Sequence, residues 1–369
     1  MRILRVAQTC YPDVKGGGAY HVHAMSRDQA ALGHDVTVLT VSADDSLPRW
    51  ERRDGYTVVR QPSTVATLGN DISLGVGRFL RHANRFDVVH AHSHQYFSTN
   101  LAALRRSCGG PPLAITNHGL YSQNAPEWLF DLYLRTGGRW TFNAADLTLC
   151  YTEEDRDRMR EIGVTSRIEV VPNGVDTERF TPDGPTSDLI DHDGHVVLFV
   201  GRLVEGKRPG DAVEAVARLP DELNAKCYVA GEGPRREELA AAGGDAVEFL
   251  GHVPYEEMPA LYRASDVLIL SSRAEGLPRT VIEAFASGVP VVSSHLDHTA
   301  PVVRQAGETV KVGDIGGYAA ALGRVLEDRD RLGHRGRETT VEQFRWDETV
   351  SRTTANLEML LSETSTTSP

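Results

Sequence analysis

Ser272-Arg-Ala-Glu-Gly-Leu-Pro-Arg-Thr-Val-Ile-Glu-Ala-Phe-Ala-Ser-Gly-Val-Pro-Val-Val292 is the stretch whose reading decides the fold. It follows an apolar run, Asp266-Val-Leu-Ile-Leu270, that reads as a buried parallel strand. Gly276 permits a tight backbone, and Pro278 suits the first position of a helix, where a missing N–H costs nothing. From Arg279 a helical spacing of Val281, Ile282 and Phe285 runs to Ser287, and Gly288 stops it. The stretch is therefore strand, glycine-bearing loop and helix. The free N–H groups at such a helix start, with the helix dipole, favour an anion.

Glu275 lies in the loop and Glu283 about one turn into the helix. Carboxylates repel phosphate, so two of them beside an anion site need a reason. A ligand with hydroxyls on both sides of a diphosphate supplies one, because a carboxylate accepts two hydrogen bonds from a cis-diol. A nucleotide-sugar has that form. A solvated glutamate and a helix-capping glutamate would leave the same residues in place.

The surrounding chain alternates strand and helix. Strands are predicted at Arg2–Gln8, Asp35–Val41, Asp87–His90, Leu113–Asn117 and Asp146–Cys150, with helices between them. Near Arg167 the pattern changes. A short strand from Ile168 ends in a Pro/Asn/Gly turn, and a polar stretch to Gly194 reads as a linker. Alternation restarts at His195–Val200, Ala225–Ala230, Ala246–Leu250, Val267–Leu270, Val289–Val292 and Thr309–Val312. Helices are expected near Ile315–Glu327 and Trp346–Leu361. The fold class is α/β, with two doubly wound parallel sheets. The predicted limits are a first domain over 1–170, a linker over 171–194, a second domain over 195–345 and a disordered Ser/Thr-rich tail over 362–369. Open sheets of this kind bind ligands at strand carboxyl ends. If those ends face each other, a ligand lies between the domains.

Length and composition narrow the class. The chain has 369 residues, long for one domain. No apolar run reaches the ~18 residues that span a bilayer, and the first residues enter a strand with no signal peptide, so a cytoplasmic protein is expected. Cys10, Cys108, Cys150 and Cys227 are scattered and read as reduced thiols, not as a disulfide framework or zinc site. A net charge of −12 argues against nucleic acid as a partner.

Other candidates lie at strand exits. Arg202 and Lys207 flank a glycine turn after His195–Val200, where two cations can clamp a diphosphate; surface charges are the plain alternative. Gly16–Gly18 after the first strand resembles a dinucleotide loop, but His21 stands where a third glycine belongs, and a simple tight turn fits as well. His118 ends a strand before Gly119 and either projects into the crevice or is a satisfied histidine at the sheet edge. His90, His92 and His94 alternate and could share one face. A metal is not expected there, since no carboxylate or cysteine follows at ligand spacing, and an acceptor pocket is the preferred role for at least one of them. Arg78–Phe86 and Trp128–Leu134 combine aromatics with nearby arginines, and either face the core or rest on a membrane surface.

Taken together, the chain resembles the retaining GT-B glycosyltransferases of family GT4, the "glycosyl transferases group 1". The resemblance covers nearly the whole length. It rests on Gly16–Gly18 with His21-Val22, Asn117-His118-Gly119, Val171-Pro-Asn-Gly-Val-Asp176, Gly201-Arg202 with Lys207, Ala230-Gly-Glu-Gly-Pro234, Phe249-Leu-Gly-His-Val253 and the Glu275/Glu283 pair. It implies two Rossmann-like domains facing across a cleft, acceptor in the first and nucleotide-sugar donor in the second, with helix 346–361 packing back on the first. It also implies that Glu283 holds the ribose and Glu275 the donor sugar. Arg202 and Lys207 would bind the diphosphate, with backbone N–H groups at Gly17 and around Gly276 and Leu277. His118 would sit against the sugar and Val253 near the base, and Gly16 and Asn173 would also line the donor site. Leu277-Pro278 replaces the Phe-Gly of many members, which makes donor choice less transferable.

The expected function is transfer of a sugar from a nucleotide-diphosphate donor to an acceptor hydroxyl, in glycan, glycolipid or polysaccharide synthesis. No cofactor or metal is expected, and the acceptor is a glycan or a lipid-linked molecule reached by peripheral contact with the inner face of the membrane. A nucleotide-sugar 2-epimerase of the same fold and a non-catalytic donor-binding subunit are the rival readings.

Overall fold

The computed structural model describes residues 1–67, 69–121 and 126–366. The chain divides into two compact units, Met1–Pro172 with Glu348–Pro369, and Asn173–Asp347.

The first unit contains β1 (Arg2–Val6), β2 (Asp35–Ser42), β3 (Trp50–Arg53), β4 (Tyr56–Pro62), a small hairpin of β5 (Val65–Thr67) and β6 (Asn70–Ile72), then β7 (Val88–His92), β8 (Leu113–Thr116), β9 (Leu147–Cys150) and β10 (Arg167–Val170). Its main sheet runs β10-β9-β8-β7-β1-β2-β4-β3. All neighbours are parallel except the antiparallel pair β3 and β4. Side chains alternate across the strands, so Ile3 enters one core and Leu4 the other, as expected for a sheet covered on both faces. Ile3's core includes Val36, Val58 and Leu147 together with Leu357 and Leu360 of the helix Trp346–Thr366. That helix runs past Leu361, so the expected disorder from 362 is not met as far as Thr366; residues 367–369 lie outside those described.

The hairpin of β3 and β4 is absent from the sequence reading. It turns through Asp54 and Gly55, both at positive φ (44° and 86°), the conformation two-residue hairpins favour. Strand order reverses between β1 and β7, where β1 has β2 on one side and β7 on the other. The carboxyl ends of β1, β7, β8 and β9 are therefore neighbours at this switch point.

The second unit contains β11 (His195–Val200), β12 (Ala225–Ala230), β13 (Val247–Gly251), β14 (Val267–Leu270), β15 (Val291–Ser294) and β16 (Gly307–Val310). All are parallel, in the order β13-β12-β11-β14-β15-β16, with the switch between β11 and β14. One face packs Val197, Phe199 and Ile269 against Val213, Leu322 and Tyr318. Of the stretch 171–194 read from sequence as a linker, residues 173–194 cluster with this unit, and Phe180 is fully buried, in ring contact with Tyr255 and Tyr262.

Candidate functional site

The opening stretch folds closely as its letters indicate. β14 ends at Leu270, a loop follows, and a helix spans Arg279–Ala286 with Pro278 as its N-cap residue. Gly288 follows it at φ 77°, the left-handed position that glycine takes without cost. Glu275, Gly276 and Leu277 are buried in the loop.

The loops after β11 and β14 are laced together across the switch point. Ser271 Oγ donates to the Arg208 carbonyl (2.7 Å), and the Arg273 N–H donates to the Gly206 carbonyl (2.9 Å). This lacing brings Lys207 to Glu275, with Nζ 2.5 Å from Oε1. Glu275 is 5 % exposed and Lys207 half-buried, while Arg202 is exposed. His298, which the sequence reading missed, donates from Nε2 to the Glu275 carbonyl and fixes the loop from its other side. No local signal marks it, since it comes from the loop after β15.

The Ala230-Gly-Glu-Gly-Pro234 segment supports the first of these loops. A Cβ on Gly231 would lie 1.9 Å from the Gly201 carbonyl oxygen, and one on Gly233 2.5 Å from that of Leu203. Glycine at both positions lets this backbone press against the strand exit that carries Arg202.

Glu283 has its own buried setting. Tyr255 donates to Oε1 (2.9 Å), Tyr262 to Oε2 (3.2 Å), and Arg279 Nε approaches Oε1 at 3.3 Å. Arg279 also donates to the Gly174 carbonyl and the Tyr255 hydroxyl, at 3.1 and 3.0 Å. The structure thus brings Lys207 to Glu275 but gives Glu283 a separate set of partners. Tyr255, Tyr262 and Arg279 were not foreseen, although Arg279 lies one helical turn before Glu283, a spacing that pairs charges on a helix. Asn173 and Val253 are buried in the same unit.

The first unit carries a different cluster at its own strand ends. Gly16 and Gly17 are exposed after β1, and Gly16 (φ 142°) has open space where a side chain would begin. His21, a turn into the helix Gly17–Ala31, lies edge-on to His118 at 5.2 Å between ring centres. His118 follows β8. Its Nε2 is 2.9 Å from Nδ1 of His92, and its Nδ1 is 2.9 Å from the Tyr151 hydroxyl beyond β9. Burial lowers the His118 pKa to about 4 and pushes those of His90 and His92 well below the ordinary imidazole value.

The three alternating histidines do not share one face. Ser93 takes φ 60° just after β7 and turns the chain. His94 then packs against Phe142 and places Nδ1 3.1 Å from Asn117 Oδ1, while His90 and His92 stay adjacent at 4.6 Å. Among the described residues no group of three His, Cys, Asp or Glu side chains is arranged to hold a metal ion.

A groove elsewhere on the second unit, between the helices Pro209–Ala217 and Arg236–Gly243, holds none of the predicted site residues. Both arginines of its lining are paired there, Arg208 with Asp211 and Arg235 with Glu238.

Two doubly wound units with polar clusters at their switch points define the GT-B fold. Residues 15–179 match the model of "Glycosyltransferase Family 4" and residues 194–328 that of "Glycosyl transferases group 1". The chain is 31 % identical to the D-inositol 3-phosphate glycosyltransferase of Geodermatophilus obscurus, over 91 % of this chain and 83 % of that one. Among solved structures it is similar to sucrose-phosphate synthase from Thermosynechococcus elongatus (TM-score 0.83, 20 % identity, 98 % of this chain and 100 % of that one). It is also similar to HepE of Anabaena in complex with UDP-glucose (TM-score 0.75, 18 % identity, 100 % of both chains). The chain belongs to glycosyltransferase family 4 and is a glycosyltransferase. Among the described residues no helix is long and apolar enough to cross a membrane.

Proposed function

We propose that the chain is a retaining hexosyltransferase of the cytoplasm. It moves a sugar from a nucleotide-diphosphate donor to an acceptor hydroxyl in glycan, glycolipid or polysaccharide synthesis, without a metal ion. The observation that carries this reading is the Lys207–Glu275 pair, formed across the switch point of the second unit. A lysine ammonium has three donors, so one can stay on Glu275 while two meet diphosphate oxygens. Glu275 keeps Oε2 for a sugar hydroxyl. Binding of UDP-glucose by HepE, which shares the fold, supports a donor of this class.

In this scheme Arg202, Lys207 and the N–H groups at Gly276 and Leu277 stabilise charge growing on the leaving diphosphate. Gly16 and Gly17 are further candidates for backbone N–H donors. Glu283 accepts the ribose diol, exchanging hydroxyl donors it already holds, and Asn173 and Val253 line the nucleotide end. A diphosphate oxygen takes the proton of the acceptor, which approaches on the leaving-group face, and His118 positions the sugar. Glu275 is bound to an ammonium and engaged with sugar hydroxyls, so it does not attack the anomeric carbon.

The test is the product anomer, read by NMR. A retained linkage is expected, and an inverted one would refute the scheme. Glu275→Gln should lower kcat more than it raises donor KM. Sugar release or inversion from donor alone would favour an epimerase, and absence of any turnover a donor-binding subunit.

Contact with a membrane is a second reading, supported by one exposed surface. Trp128, Leu132 and Trp140 are 70, 54 and 45 % exposed, with Arg135 and Arg139 exposed among them, along consecutive helical segments from Glu127 to Asn143. Aromatic and basic side chains together suit an anionic lipid surface and a lipid-linked acceptor. Co-sedimentation with anionic liposomes at low salt is expected, and its absence there would reject the reading.

A further inference from the structure

The histidines behind His118 carry a tautomer assignment that can be worked out from one end. His92 Nε2 is buried and has no hydrogen-bond partner among the described residues. A buried N–H left without an acceptor is costlier and rarer than an unused lone pair. Both rings are neutral, since burial disfavours their charged forms. The single proton of His92 therefore sits on Nδ1 and is donated to Nε2 of His118, 2.9 Å away. With Nε2 accepting, neutral His118 carries its proton on Nδ1 and donates it to the Tyr151 hydroxyl, also at 2.9 Å.

His90, the neighbour of His92, is held the other way. Arg5 is always a donor, and its Nη2 lies 3.3 Å from His90 Nδ1, so that nitrogen accepts. The His90 proton is then on Nε2, facing Thr116 Oγ1 at 2.7 Å. Two adjacent rings thus hold opposite tautomers.

We infer that His92 and Tyr151 are positioning residues that fix His118 in the Nδ1–H tautomer and in one ring orientation before the sugar arrives. Both ring nitrogens of His118 are engaged, so the ring can neither flip nor exchange tautomers without breaking two hydrogen bonds. Such prior ordering is what a positioning group needs. The kinetic part rests on the reading of His118 given above, while the tautomer assignment does not.

The test uses the full chain with ¹⁵N-labelled histidine and two-bond ¹H–¹⁵N correlation spectra. His92 and His118 should show protonated Nδ1, and His90 protonated Nε2 as an internal contrast. A protonated Nε2 on His118 would overturn the assignment. In kinetics, His92→Phe and Tyr151→Phe should each lower kcat by roughly ten- to a hundredfold, by analogy with the loss of a partner that orients a metal-bound histidine. Donor KM should stay nearly constant. His92→Asn, whose amide nitrogen can stand where Nδ1 does, should recover most of the loss. Unchanged kcat in both Phe variants, with His118→Ala impaired, would overturn the positioning role. Unchanged kcat in His118→Ala as well would sink the positioning role together with the role of His118 itself, leaving the tautomers to be judged by the spectra alone.

Discussion

The two units end their central strands in opposite chemistry. In the second unit the residues at the switch point are charged and paired, Lys207 with Glu275 and, a short distance along the same helix-bearing segment, Arg279 with Glu283. In the first unit the same topological position holds imidazoles and a phenol, His21, His92, His118 and Tyr151, and burial keeps the rings of His92 and His118 neutral. Both units are doubly wound sheets whose strand ends gather loops. The frame therefore does not choose the chemistry. An ammonium paired with one carboxylate still has donors left for a diphosphate. A network of neutral rings has no charge to offer and suits a neutral hydroxyl, whose orientation matters more than its attraction.

The largest effect should come from breaking the charged side of this comparison. In the proposed scheme Lys207→Ala removes a donor to the leaving diphosphate, and it should lower kcat by about 10²- to 10³-fold. It also leaves Glu275 buried without its cation, which costs about 3–5 kcal/mol when a buried pair is broken, so a fall in Tm should accompany it. Lys207→Met in combination with Glu275→Leu should recover Tm without recovering activity, separating the two losses. Wild-type activity should be unaffected by excess EDTA if, as proposed, Arg202 and Lys207 do the work of a cation; abolition by EDTA with rescue by Mn²⁺ would refute this.

The pairing itself was beyond sequence reading. Lys207 and Glu275 are 68 residues apart, and only the β11-to-β14 neighbour relation makes them meet. What could be read was the local part: the apolar run Val267–Leu270, the helix after Pro278 and its glycine stop lie within a residue or two of their structural limits. Long-range polar partners were lost, because Tyr255, Tyr262 and His298 reach their carboxylate or carbonyl from other loops and helices. Strands with polar letters were placed less well. β16 begins at Gly307, ahead of its expected start at Thr309, because Gly-Glu-Thr is not an apolar run. The hairpin of β3 and β4 was legible in principle, since Asp54-Gly55 is a strong turn signal between strand-like residues. In the first unit, His90, His92 and His94 suggested one shared face because a continuous strand was assumed through Ser93.

The neutral side of the comparison breaks with acid. His90, His92 and His118 have pKa values below their unfolded value, and His94 is lowered to about 4, all through burial. Between the folded values and ~6.5 the unfolded chain binds more protons, so stability rises with pH across that window. It is fully present above ~6.5 and is lost as pH falls toward about 4. These four groups all lie in the first unit. Hydrogen exchange followed by mass spectrometry at pH 7, 6 and 5 should show the strands β7 and β8 losing protection before β11 and β14. Equal loss in both units would mean that the histidines do not set the acid response.

The smallest effect concerns how the charged site is masked before donor binds. Glu283 already holds two tyrosine hydroxyls and Arg279, so in the proposed scheme a ribose diol that takes Oε1 displaces one of the two groups there. Tyr262 is fully buried and cannot leave, and burial raises its pKa well above the ordinary phenol value, so it remains a neutral donor. Tyr255 is half-buried at the edge of the network, with the guanidinium of Arg179 over its ring at 4.5 Å. Its hydroxyl is therefore the one to give way. Tyr255→Phe removes this competitor while keeping the ring that Arg179 and Phe180 pack against. The change deletes two hydrogen bonds, the one Tyr255 donates to Glu283 and the one it accepts from Arg279; release of the first, worth roughly 1 kcal/mol net, corresponds to about a fivefold tighter donor Kd. Isothermal titration with nucleoside diphosphate and with nucleotide-sugar should show the same gain for both, because the ribose is common to them. A gain confined to the nucleotide-sugar would move the contact from the ribose to the sugar. Weaker binding of both would mean that Tyr255 stays on Glu283 in the complex and holds it in place, and that the diol takes a lone pair the tyrosines leave open.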